Sequence, residues 1–121
     1  VAHQIEECER HVAAGGLALG AFAAGRLIGI GIVVPHFRAA VAQLAVLYVT
    51  DEFRGCGVGR ELHNLLEREA RQLGATQIVV SATPSKNTVD FYLRRGFTPT
   101  ASPIRELYDL EPEDVHMEKG L

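Results

Sequence analysis

Residues 52–62 read EFRGCGVGREL, with Gly55, Gly57 and Gly59 at alternate positions between an arginine and the start of an apolar helix pattern. On propensity alone, glycine is among the poorest residues with which to begin a helix. The stretch before it, VAQLAVLYVT over 41–50, is nearly continuously apolar. It reads as a strand buried on both faces, and hence central in its sheet. The stretch after it sets Val58, Leu62, Leu65, Leu66 and Leu73 on one stripe, which predicts a helix over 57–73 ended by Gly74. Arg60, Glu61, Glu67, Arg68 and Arg71 fall on the opposite, polar side, and His63 is placed there with them. Strand, glycine turn and helix start together make an anion-binding design. The first N–H groups of a helix have no internal partners, the helix dipole adds positive charge, and missing β-carbons let a phosphate oxygen reach the backbone. Arg54 and Arg60 bracket the loop.

Two common phosphate motifs do not fit. No Lys-Ser or Lys-Thr pair follows the glycines, as a P-loop requires, and the spacing is GxGxG rather than the dinucleotide GxGxxG. The bland alternative is a glycine-rich helix entry without a ligand. Cys56 lies where a helix N-terminus favours thiolate, but a backbone-binding loop accepts many side chains there.

Working outward, TQIVVSA over 76–82 reads as a second buried strand, so strand, helix and strand form a parallel βαβ unit. Upstream, residues 17–23 and 26–35 read as a hairpin turning at Ala24-Gly25, with Pro35 ending its second strand. Ala2, Ile5, Cys8 and Val12 recur at helical spacing and predict an amphipathic helix over 2–14. Downstream, a short helix over 87–95 turns Val89, Tyr92 and Leu93 inward and ends at Gly96. Asn87 is its expected N-cap, with Asp90 completing a variant capping box. Pro99, Pro103 and Pro112 predict a loop-rich tail, and DVHMEK over 114–119 alternates as a last strand. The acidic run DLEPED over 109–114 reads as a solvated loop.

The 121 residues suit a single domain, 1–121, with one modest core. A net charge of −3 implies no broad basic surface, so neither nucleic acid nor an anionic membrane is expected as a partner. No apolar run approaches the roughly 20 residues that span a bilayer. Cys8 and Cys56 lack metal-ligand or CxxC spacing and read as free thiols, which points to the cytoplasm. No two histidines have metal-ligand spacing, and no metal is expected.

Arg54-Gly55-Cys56-Gly57-Val58-Gly59, preceded by LYV over 47–49, resembles the first signature of the GCN5-related N-acetyltransferase (GNAT) family. NTVDFYLRRGF over 87–97 is similar to the second: an asparagine opening a short helix that carries a tyrosine before a glycine-phenylalanine pair. The resemblance implies an α/β (α+β) fold with a mixed, mainly antiparallel sheet, a central splayed parallel strand pair and flanking helices. Measured against it, the strand and helix that open the family fold ahead of the segment 2–14 are absent.

It further implies transfer of acetyl from acetyl-CoA, as cosubstrate, to a primary amine of a small molecule, peptide or protein. Backbone N–H groups of Arg54, Gly55, Cys56, Gly57, Val58, Gly59 and Arg60 would bind the pyrophosphate. The pantetheine arm would pair with exposed backbone near Leu47 and Val49, and Asn87 would hydrogen-bond it. Tyr92 would stand by the thioester sulfur as general acid. Read from the residues alone, Tyr92 is a core aromatic.

The general base is not evident. Gln43 is the only polar residue of the central strand before Tyr48, and an amide is no base. His36, His116, Glu106 and the strand's own carbonyls are candidates through ordered water, and each histidine reads first as a surface or structural residue. The alternative function is a non-catalytic acyl-CoA-binding module. The apolar sheet with open edges suggests a homodimer.

Overall fold

The computed structural model describes residues 4–8 and 15–121. One sheet organises them, with strands in the order β1-β2-β3-β4-β5-β7-β6. The strands are β1 (Gln4–Cys8), β2 (Leu17–Ala23), β3 (Arg26–Arg38), β4 (Val41–Val49), β5 (Gln77–Ala82), β6 (Thr98–Pro99) and β7 (Val115–Gly120). Helices α1 (Val58–Gln72), α2 (Lys86–Arg94) and α3 (Arg105–Leu110) connect or flank them. Every neighbouring pair is antiparallel except β4 and β5, which run parallel on either side of α1. This is the mixed sheet with a central parallel pair that the resemblance implies.

The opening segment corrects the helix expected over 2–14. Gln4–Cys8 is a strand paired along its length with Ala18–Phe22 of β2, and the rest of 2–14 lies outside the described residues. A lone helix of about 13 residues is marginal in water, whereas the edge of β2 offers a ready ladder of donors and acceptors. Pro35 does not end β3, which continues to Arg38. The β3–β4 register breaks between Val34 and Arg38, so proline sits where no ladder bond is required of it. The tail holds more structure than expected. Thr98–Pro99 adds a short strand, and α3 buries Leu107 against the sheet face opposite α1.

The core lies between the sheet and α1. Leu62, Leu66 and Ala70 are fully buried against Ile28, Val33, Ala42, Leu44, Ile78 and Val80. Glycine lets the helix come this close: a Cβ at Gly31 would stand 2.5 Å from Leu66 Cδ1, and one at Gly29 would stand 3.2 Å from Leu62 Cδ1. His63 and Glu67 are not on a polar side. They are 1% and 8% exposed. His63 Nε2 meets Glu67 Oε2 at 2.8 Å, and Lys119 of β7 reaches both carboxylate oxygens at 2.9 Å. The helical wheel places these residues beside the apolar stripe, and β7 and α2 widen the contact surface enough to cover them.

Candidate active site

The strand expected to be buried along its whole length is buried only in its first half. Val41–Leu44 pair with Gln77–Val80 of β5, and the parallel ladder then stops. Opposite β3, Ile32 faces Val46 and Val33 faces Leu44, so Ala45 is an extra residue bulged out of β4. From that bulge to Val49, β4 keeps its bonds to β3 but has none to β5. Val46 is 39% and Tyr48 52% exposed. The result is a wedge-shaped slot with its apex between Leu44 and Val80 and an unpaired strand edge along one wall. Leu47 and Val49 turn their side chains toward α1: Leu47 Cδ1 lies near the missing Cβ of Gly31, and Val49 Cγ2 near that of Gly59.

The glycine loop lies at the open end of this slot. Asp51–Phe53 form one turn of 3₁₀ helix, which accounts for the gap between the end of β4 and the first glycine. Gly55 and Gly57 have φ of +80° and +85°, in the left-handed region that side chains disfavour. Gly57 is the N-cap of α1 and, having no side chain, makes no cap bond of its own. Among the described residues no backbone acceptor meets the N–H groups of Gly55, Gly57, Val58, Gly59 or Arg60. The Arg60 guanidinium folds back over the loop, 3.2 Å from where a Gly57 Cβ would be. Arg54 pairs with Asp51 at 3.2 Å and stays largely exposed. Arg95 lies over the Phe91 ring, which packs beside Gly59. Burial, then the charges of Arg60 and Arg94, push the Arg95 guanidinium below its ordinary value. Cationic side chains thus surround a row of unpaired backbone donors, with Cys56 exposed among them.

Helix α2 borders the slot from the α1 side. Its N-cap is Ser85, not Asn87: Ser85 Oγ accepts from the Thr88 N–H at 3.2 Å. Asp90 bonds Lys86 at 2.7 Å and completes no capping box with Asn87. Asn87 is exposed, and its amide has no hydrogen-bond partner among the described residues. Serine, two residues earlier, holds an extended backbone and takes the cap, which leaves the asparagine amide available. Tyr92 is 7% exposed, with its ring edge-on to Phe91 and Phe97. Burial pushes its phenol up to about 12. No side chain bonds its hydroxyl among the described residues, and that oxygen is not sealed from solvent. The core-aromatic reading is therefore right for the ring and leaves the hydroxyl free.

The other sheet face was harder to foresee. Ser81 follows Val80, the last β5 residue paired with β4, and faces His116 across the β5–β7 ladder. Their side chains meet, Ser81 Oγ to His116 Nδ1, at 3.2 Å. A pocket of about 200 Å³ runs under α3 beside His116, walled by Val79, Ile104 and Leu107, with Arg38 and Glu118 at its rim. His36 is exposed at the far end of β3, and Glu106 is engaged by Arg38. Among the described residues no group of three His, Cys, Asp or Glu side chains could hold a metal ion, and no helix is long and apolar enough to cross a membrane.

Residues 2–97 match the family model described as Acetyltransferase (GNAT) family. An amino-acid acetyltransferase of Pseudomonas putida is 29% identical over 102 residues, covering 80% of this chain and 23% of that protein. The chain thus spans about a quarter of the length of the curated relatives it matches. PaiA N-acetyltransferase from Thermoplasma acidophilum, solved with coenzyme A, superposes with a TM-score of 0.73 at 25% identity over 88% of this chain and 61% of that one. A GNAT family acetyltransferase from Elizabethkingia anophelis, solved with acetyl-CoA bound, gives a TM-score of 0.78 at 14% identity, covering 98% of each chain.

Proposed function

Because the chain belongs to the acetyltransferase (GNAT) family, we propose that residues 1–121 act as one N-acetyltransferase domain, moving the acetyl group of acetyl-CoA to a primary amine. The observation that carries this is the parallel ladder that stops at Leu44 and Val80 while β4 runs on to a loop of unpaired N–H groups. Four residue steps from Ala45 to Val49, about 13 Å of strand, accept an extended amide-bearing arm as an added strand along the open edge. The loop at its end takes the pyrophosphate through the N–H groups of Gly55, Gly57, Val58, Gly59 and Arg60, whereas those of Arg54 and Cys56, also expected to bind, are taken by Asp51 and Phe53 carbonyls; Arg54 and Arg60 add charge.

Acetyl-CoA supplies the activated acyl group; the chain supplies geometry and protons. Backbone N–H groups at the bulged stretch of β4 polarise the thioester carbonyl. Asn87 binds the arm through its free amide. Tyr92, protonated at neutral pH, gives its proton to the departing thiolate. An amino acid is the proposed acceptor class, supported by the amino-acid acetyltransferase relative. The exposed Cys56 thiol supports a cytoplasmic location. Leu27, Val46 and Tyr48, all exposed, support a homodimer, which sedimentation tests.

The test of the central reading combines calorimetry with acetyl-CoA and a thiol-release assay over amino acids and simple amines. Saturable binding with turnover of at least one amine is expected. Binding without turnover would make the chain an acyl-CoA-binding module instead.

A further inference from the structure

We propose that Ser81 and His116 form the relay that takes the proton from the incoming amine; the proposal rests on the acetyltransferase reading above. Three observations carry it. The first is position. Ile78, Val80 and Ala82 face the core under α1, so Gln77, Val79 and Ser81 face the opposite side of the sheet. Ser81 is the first β5 residue past the end of the β4–β5 ladder, at the apex of the slot and across from the bulge at Ala45. Tyr92 belongs to the core on the helix side of the sheet, and Ser81 lies on the other side. Acid and base thus approach from opposite faces, as separate protonation of thiolate and deprotonation of amine require.

The second observation is the tautomer. His116 Nε2 lies 2.9 Å from the carbonyl oxygen of Glu111, an acceptor only, so Nε2 carries the hydrogen and donates it. Nδ1 is then the bare nitrogen, and it accepts from the Ser81 hydroxyl at 3.2 Å. The carbonyl holds the ring with its basic nitrogen aimed at the slot and remains bonded when the ring becomes cationic. The groups that face His116 are Tyr108 of α3, Glu111 and Asp114 of the following turn, and Glu118 of its own strand. None of these groups is cationic. Arg38, at the far end of the pocket, is engaged by Glu106. The third observation is access: the pocket beneath α3 has in its wall His116 and Val80, the residues paired with and preceding Ser81, and so opens toward the relay from the side away from the loop.

The step balances as follows. The amine nitrogen forms a bond to the thioester carbon as its N–H proton passes to Ser81 Oγ, whose own proton passes to His116 Nδ1. The C–S bond then breaks, and the thiolate takes the Tyr92 proton.

The test compares wild type, His116→Gln, Ser81→Ala and Ser81→Thr, using acetyl-CoA and whichever amino acid or simple amine wild type acetylates fastest. Thiol release gives kcat/KM against pH, calorimetry gives acetyl-CoA affinity, and melting temperature checks folding. His116→Gln and Ser81→Ala are expected to lose about 10²-fold or more in kcat/KM at unchanged acetyl-CoA affinity, the scale of a removed general base. The acid limb of the wild-type profile disappears in His116→Gln, and Ser81→Thr, which restores a hydroxyl, recovers most of the rate. If His116→Gln does not fold, the Ser81 pair makes the same comparison. Rates and acid limb unchanged in both loss variants would overturn the relay. So would a wild type that binds acetyl-CoA yet acetylates no amine. A wild type that fails to bind acetyl-CoA removes the wider reading, and the relay with it.

Discussion

Tyr92 occupies two environments, a buried ring among Phe91 and Phe97 and a hydroxyl without a partner among the described residues, and its mutation separates them. Tyr92→Phe keeps the packing, so melting temperature and acetyl-CoA affinity should barely change. If the hydroxyl is the acid, kcat should fall roughly 10²–10⁴-fold. A large loss of affinity at intact kcat would assign the hydroxyl to uniform cofactor binding. Burial raises this phenol from 10.0 to about 12. The stability that it contributes is therefore fully present below pH 10 and is lost as pH rises through about 12. Tyr92→Phe should flatten that alkaline loss in chemical denaturation. The burial of this ring is legible in the sequence, because its interval from Gly96 and its place on an amphipathic helix are local patterns. The roles of Asn87 and Ser85 were less so. Both are good caps, and only the backbone angles of the turn decide which one caps α2.

The glycines of the loop are not equivalent, and the difference lies in how a strand hands over to a helix. Gly57 holds φ of +85°, at the N-cap and under Arg60. Gly59 has no positive φ, and a Cβ there would meet Phe91 and Val49 at an ordinary 3.6 Å. Gly57→Val should therefore cost at least ~1–3 kcal/mol of acetyl-CoA affinity, the scale of buried hydrogen-bonding groups left unpaired. Gly59→Ala should bind and fold nearly as wild type does, and calorimetry on the two variants checks the contrast. A second contrast concerns α1 and β3. Gly31→Val should destabilise by about 1–3 kcal/mol, an overpacking cost read from urea midpoints, because Leu66 is fully buried and cannot yield freely. The glycine loop could be read from sequence because three glycines before an amphipathic stripe have few other uses. The bulge at Ala45 could not. An alanine in an apolar run carries no mark of its register, and the bulge arises from matching β4 to β3 on one side while losing β5 on the other. β1 was misread for a related reason: four apolar positions at helical spacing cannot outweigh a sheet edge elsewhere in the chain.

Across the whole molecule, distant segments meet in a buried polar cluster that no local pattern announces. Glu67 of α1 takes hydrogen bonds from Lys119, 52 residues away, and Arg71 joins at 3.2 Å. His63 completes the cluster against Phe91 and Phe97, so α1, α2 and β7, the last strand in the chain, share one contact. A neutral His63 donates Nε2–H to Glu67 at 2.8 Å and leaves Nδ1 buried without a partner among the described residues. Burial dominates its titration and lowers it below 6.5, with Glu67 opposing and Lys119 and Arg95 reinforcing the shift. A histidine held below its unfolded value favours the neutral form in the fold. Its contribution is thus present above pH 6.5 and is lost as pH falls through the lowered folded value. The urea midpoint should therefore drop on acidification from pH 7 to 5. His63→Leu removes both the titrating ring and the orphaned Nδ1, while Glu67 keeps Lys119 and Arg71. The variant should fold, and the part of the acid loss that begins near pH 6.5 should vanish from its profile. An acid loss of the same size and position in the variant would show that carboxylates elsewhere, not this buried ring, set the acid limit of the fold.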